Sequence, residues 1–195
     1  MNNINLRSKA GKGERAFTLV EVLVSVSIFA MVMLIATGSV FSIVEANKKT
    51  HTLKSVMTNL NFALESMARD TRVGFNYVCD GSGSCQSGGS VFRYKANRDI
   101  DGDGNYNSAD ANDQIEYSLV SGRIQKRVYG TIPSTTDITA SDINITLLRF
   151  YVTGTAANDG LQPKVVMTLK GDAGTGKTKS EFNIQTTISQ RAIDS

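Results

Sequence analysis

The chain has 195 residues, with 21 Lys+Arg against 18 Asp+Glu, 41% apolar residues, 17 Gly, 2 Pro, 2 Cys, 1 His and no Trp. That length suits one ordinary domain plus an appendage, and the apolar content argues against global disorder. A net charge of +3 is too small for a nucleic-acid binder with a dense basic face, and one His with two Cys leaves little material for a zinc site or a Cys/His nucleophile pair.

Residues 1–16 hold Arg7, Lys9, Lys12 and Arg15 against one acid, Glu14. Phe17 to Val44 then runs for 28 residues with a single charge, Glu21. An apolar run beyond about 20 residues is long enough to cross a bilayer as a helix. The flanking bases stay cytoplasmic, which reads as a single-pass protein of the cytoplasmic membrane with everything after Val44 exported. A secretory signal would have an apolar core of roughly 7–15 residues with a small-residue cleavage site after it. Here the run is longer, and the good small residue, Ala16, precedes it. Glu21 is costly in lipid without a partner, and no base follows within a helical turn or two. Cleavage after Ala16 would give Phe17 a cationic α-amino group, which on a neighbouring subunit would neutralise Glu21. The bland alternative is a Glu21 that snorkels to the headgroups.

The basic leader, the small residue and FTLVEVLVSVSIFAM together resemble the prepilin processing signal of type IV pilins and type II secretion pseudopilins. The Phe-Thr-Leu-hydrophobic-Glu core is matched by Phe17, Thr18, Leu19, Val20 and Glu21. The resemblance implies cleavage between Ala16 and Phe17 by a prepilin peptidase, N-methylation of Phe17, and assembly with other pilin or pseudopilin subunits through the helix and Glu21. Ala16 departs from the family's usual Gly before the cut. The Pro that often kinks the major pilin helix is missing, with Gly38 as a weak point in its place.

Leu53, Val56, Met57, Leu60, Leu64 and Met67 continue at steps of three and four, an amphipathic stripe. A helix is therefore expected from Phe17 to Arg72, about 85 Å at 1.5 Å per residue, with Gly74 as its stop. Met57 and Met67 read as core and His51 as a solvated residue. The resemblance implies a lollipop: leader 1–16, membrane and filament helix 17–44, amphipathic continuation 45–73, and exported head 74–195.

In the head, strands are expected at Val91–Lys95, Gln114–Val120, Arg123–Tyr129, Ile143–Val152, Lys164–Lys170 and Glu181–Ser189, with Ser121-Gly122 turning a hairpin. Helix first and antiparallel strands afterwards make an α+β fold. The hairpin DQIEYSLVSGRIQKRVY resembles that of J-type minor pseudopilins, and EFNIQTTISQR resembles the ending of pilin-like secretion proteins. Cys79 and Cys85 bracket a five-residue Gly/Ser loop, which closes easily as a disulfide in an exported head; two free thiols are the alternative.

Two motifs suggest ligands. In Asp99–Asp110 the side chains of Asp99, Asp101, Asp103, Asn105, Asn107 and Asp110 take positions one, three, five, seven, nine and twelve, with Gly104 at six. That is EF-hand spacing, resembling dockerin-type calcium loops; Ca²⁺ takes six to eight oxygens, and Asn105 would offer its backbone carbonyl. A solvated Asp/Gly turn is the alternative. Asp at position twelve and a strand-like exit depart from the pattern. Gly171 to Thr178, GDAGTGKT, satisfies the P-loop spacing with Gly171, Gly176, Lys177 and Thr178. That chemistry requires a helix after the loop, whereas KSEFNIQTTIS alternates like a strand, so a Gly-rich turn is expected.

The sequence therefore reads as a non-enzymatic structural subunit, a minor pilin or pseudopilin. Its expected partners are a prepilin peptidase, other subunits, the membrane, and secreted cargo or a tip ligand. A membrane-tethered, calcium-dependent adhesion module and a P-loop NTPase are the competing readings.

Overall fold

The computed structural model describes residues 16–81, 83–105, 112–156, 160–174, 176 and 179–191. Among them are one α-helix, α1 (Leu19–Val73), and nine strands: β1 (Phe75–Cys79), β2 (Cys85–Gly89), β3 (Val91–Lys95), β4 (Gln114–Val120), β5 (Arg123–Tyr129), β6 (Ser134–Asp137), β7 (Ile143–Thr153), β8 (Lys164–Ala173) and β9 (Ser180–Ser189). This is an α+β, pilin-like architecture: a long amino-terminal helix followed by antiparallel sheets. The chain divides into two compact units, 1–45 and 46–195.

In the first unit α1 is apolar all round. Its large side chains lie open, Leu34 at 76% and Phe41 at 67% exposure, and none of its most apolar window is buried within the chain. Its hydroxyls turn back onto the helix: Ser25, Ser27, Thr37 and Ser39 donate to the carbonyls of Glu21, Leu23, Met33 and Ile35 at 2.7–3.0 Å. A segment in lipid must satisfy its polar groups internally, and these bonds do so.

In the second unit the same helix buries one face: Val56, Leu60, Ala63, Leu64, Met67, Ala68 and Thr71. Met67 is core and Met57 packs partly against it, while His51 is exposed. Gly74 ends the helix by close approach: a Cβ there would sit 2.3 Å from the Tyr94 ring.

The strands form a five-stranded sheet in the order β1-β3-β4-β5-β6 and a four-stranded sheet β2-β7-β8-β9, all pairs antiparallel. One core draws on both sheets and on α1. Phe92 and Tyr94, two apart on β3, share a face; Phe92 stacks on Phe150 of β7 at 5.5 Å, and Tyr94 on Tyr117 of β4 at 6.1 Å. Tyr77 meets Phe92 edge-on at 5.4 Å, and its hydroxyl donates to the Thr71 carbonyl at 2.5 Å. The β4–β5 turn has positive φ at Ser121 (50°) and Gly122 (77°), the handedness that a two-residue hairpin favours.

The expected strands are present, with β7, β8 and β9 slightly longer, and β1, β2 and β6 are additional. In β7 the buried positions change parity: Ile143 and Ile145, then Leu148, Phe150 and Val152. A bulge between Ile145 and Leu147 inserts the extra residue responsible.

Candidate functional site

At the amino end, Thr18 caps α1: its Oγ1 accepts from the Glu21 N–H at 3.2 Å, and its carbonyl accepts from the Val22 N–H at 3.2 Å. Thr18 and Glu21 thus hold the Thr-x-x-Glu spacing of a capping box. The local physics accounts for a Thr and a carboxylate here, since an acid in the first turn complements the helix dipole. It does not account for an apolar stretch of this length whose large side chains are exposed among the described residues. Phe17 is 77% exposed, and Ala16 and Glu21 are exposed beside it. The basic residues of the leader lie outside the described residues.

The acidic connection between β3 and β4 is the second site. Asp99 accepts from the N–H groups of Gly102 (2.6 Å) and Gly104 (2.8 Å), and Asp103 from that of Asn105 (2.7 Å). Gly102 and Gly104 have φ of 80° and 79°, which lets the chain coil around the carboxylates. Asp101 reaches the β5–β6 connection, accepting from the Thr131 N–H at 3.1 Å and hydroxyl at 3.0 Å. Its small burial opposes ionisation, but the Thr131 bonds prevail and hold the carboxyl below its ordinary range. Asn107 and Asp110 lie outside the described residues. In addition the fold brings in Asp113, which loop numbering from Asp99 misses; ligand oxygens of Asp99, Asp101, Asp103 and Asp113 all lie within 4.8 Å of one another. The available signal was an acid directly before β4, where the apolar alternation of Ile115 and Tyr117 begins.

Cys79 and Cys85 are joined in a disulfide at a Cα separation of 5.8 Å. Beside it, Asp80 accepts from the Ser90 and Val91 N–H groups at 2.9–3.1 Å. Burial opposes ionisation of this carboxylate, and the backbone bonds from Val91 and Ser90 outweigh it.

Within the P-loop pattern, the two glycines have local structural reasons. Gly171 lies in β8 opposite the β7 bulge, where a Cβ would come 2.5 Å from the Asn144 carbonyl oxygen and 2.7 Å from Phe182. Gly176 has φ 55° in the connection that follows. The segment after it, β9, pairs antiparallel with β8, Ala173 opposite Ser180. The strand–loop–helix context that a phosphate cradle needs is therefore replaced by a hairpin. Lys177 and Thr178 lie outside the described residues.

Compared with known proteins, residues 11–37 match the family model described as the prokaryotic N-terminal methylation motif. No curated protein and no solved structure matches the chain. The matched motif and the apolar helix that continues it define a prepilin-type amino terminus, consistent with the type IV pilin-like family, and fit a single-pass protein of the inner membrane. Processing by prepilin peptidase and assembly with other pilin subunits follow from that motif.

Proposed function

We propose that the chain is a minor pilin or pseudopilin, a structural subunit of a type IV pilus-like or type II secretion filament. The matched motif at 11–37, read with the uncovered apolar side chains of α1, carries the proposal. A helix that is apolar on every side needs either lipid or other such helices around it. Prepilin peptidase cuts between Ala16 and Phe17 and Phe17 is N-methylated. The leader takes away four bases and one acid from totals of 21 and 18, so the mature chain holds equal numbers of each. Its positive charge is a topology signal that keeps the amino end cytoplasmic and sends residues 74–195 across the membrane. In the filament, Glu21 pairs with the amino terminus of a neighbouring Phe17 and sets the register, while the head presents a surface to cargo or tip partners. The resemblance of the β4–β5 hairpin to J-type pseudopilins favours a minor subunit.

Mass spectrometry of the membrane-extracted protein tests the reading. A mature chain that begins at Phe17 with one added methyl group is expected. An intact leader, or a cut after Val44, overturns it. Glu21→Val is expected to be processed and membrane-extracted like the parent yet missing from the sheared filament fraction; normal incorporation removes Glu21 from the assembly role.

A further inference from the structure

The four carboxylates of the β3–β4 connection are not equivalent. Asp103 is exposed and Asp99 and Asp101 are half-buried, but Asp113 is fully buried. Asp113 Oδ1 accepts from the Ile100 N–H at 2.6 Å and the Asp101 N–H at 3.4 Å. Its Oδ2 is buried with no hydrogen-bond partner among the described residues. A buried carboxylate oxygen without a donor is costly, and three further carboxylates within ligand distance add repulsion. A hard cation removes both penalties at once.

We propose that Asp99, Asp101, Asp103 and Asp113 hold one Ca²⁺ ion, with Asp113 anchoring it from the core side. The donor set is all oxygen, which selects a hard ion over zinc or copper. Most of these carboxylates are already turned by backbone N–H groups, so the cage cannot relax to the near-ideal octahedron that Mg²⁺ demands; Ca²⁺ accepts irregular shells. The ion has a structural consequence. Asp101 is bonded to Thr131, and its Cβ lies 2.9 Å from where a Cβ of Gly130 would be. Asp113 pairs through its carbonyl with Ala96 at the end of β3. Calcium thus ties the β3–β4 connection to the β5–β6 connection and to the core, fixing one end of the five-stranded sheet. This site stands independently of the filament reading: it would exist whether or not Phe17 is the mature terminus.

The test is calorimetric titration of the chelator-stripped, detergent-solubilised full chain with Ca²⁺ alone and Mg²⁺ alone, together with thermal melting of the head in each. One Ca²⁺ per chain, a raised melting temperature and weaker Mg²⁺ binding are expected. Asp113→Asn should weaken Ca²⁺ at least about tenfold, since ligand charge sets affinity in such sites. In chelator the same variant should melt no lower than the parent, because it removes a buried carboxylate oxygen that has no donor among the described residues. Asp103→Asn, at an exposed position, should weaken Ca²⁺ while leaving melting in chelator unchanged, which separates ligand loss from misfolding. No heat and no melting shift at millimolar Ca²⁺ overturns the site, as does Mg²⁺ binding of equal affinity. Parental affinity in Asp113→Asn, with the loss found instead in Asp110→Asn, overturns the role of Asp113.

Discussion

Residues 19–45 and 46–73 belong to one hydrogen-bonded helix, yet they are built for different surroundings. The first stretch carries Glu21 and then no charge until Glu45, and its Val, Leu, Ile, Met and Phe side chains point in every direction. The second admits Lys48, Lys49, His51 and Lys54 and buries a single stripe from Val56 to Thr71, while Phe62 and Val73 stay exposed. The backbone does not register the change; the side chains do. Where α1 is apolar all round its large side chains stay exposed among the described residues, and where it is amphipathic the head covers its apolar face. The division between the two compact units falls at the same place, after Glu45.

The strongest way to break this contrast is a pair of matched truncations. Leu60 is 0% exposed and Leu34 is 76% exposed. Leu60→Ala should destabilise the head by about 2–5 kcal/mol, the usual cost of a buried Leu. Leu34→Ala should leave head unfolding within about 0.5 kcal/mol of the parent. Urea unfolding of the detergent-solubilised chain measures both; equal losses would mean that the first stretch is packed by its own head.

Alkali discriminates the two regions next. Tyr77, Tyr94 and Tyr117 are buried in the head, and desolvation pushes all three phenols above their ordinary value; the apolar stretch contains no Tyr. Above about pH 10 the unfolded chain sheds phenolic protons that the folded head retains. The unfolded state then binds fewer protons, so stability falls as pH rises, by about 1.4 kcal/mol per unit for each tyrosine. Urea midpoints at pH 8 to 11 should drop steeply, and Tyr94→Phe should make the slope shallower. Helical signal from residues 19–45 in detergent should persist through the transition.

Much of this was legible in the residues. The helix and its two periodicities follow from where the charges stop and restart, and β3, β4 and β5 from unbroken alternation between turn residues. Of the three additional strands, β2 and β6 had no apolar pattern to show, while in β1 the short alternation of Phe75, Tyr77 and Cys79 is interrupted by a register shift between Phe75 and Val78. Gly88 and Gly89 occupy β2, and Ser134–Asp137, all exposed, form β6; both are at sheet edges, where pairing rather than burial makes the strand. β7 was legible as a strand, but the bulge at Ile145/Leu147 that shifts the phase of its alternation was not. For the acidic site, linear spacing identified Asp99, Asp101 and Asp103, which are local to one coil. Asp113 is brought in by the start of β4, a tertiary event that loop counting does not see. The GDAGTGKT pattern shows the converse: Gly171 is set by close packing and Gly176 by a positive φ, so their spacing can arise without a phosphate.

Smaller effects sharpen the contrast within the head. The Cys79–Cys85 bond closes a loop at a sequence separation of 6, which chain-entropy reasoning values at about 2 kcal/mol. The Cys79→Ser, Cys85→Ser double variant should lose about that much in urea unfolding, with no change in membrane extraction. A loss well beyond it would show that the bridge holds Asp80 and the β1–β3 pairing in place as well.

The smallest test addresses charge on α1. In the second stretch Asp70 Oδ2 meets Lys126 Nζ of β5 at 2.5 Å, both side chains less than a quarter exposed. In the first, Glu21 has no ion pair among the described residues. The Asp70–Lys126 pair keeps some contact with water, so its coupling should be modest, about 0.5–1 kcal/mol in a double-mutant cycle of Asp70→Asn and Lys126→Gln. Most of that should vanish in 1 M salt, where the Debye length is about 3 Å. Glu21→Gln, read by the same unfolding experiment, should change nothing, because Glu21 is exposed and makes no ion pair with the head among the described residues. A measurable effect of Glu21→Gln on the isolated chain would show that the two halves of α1 share their electrostatics after all, and that the carboxylate is spent on its own head before any filament forms.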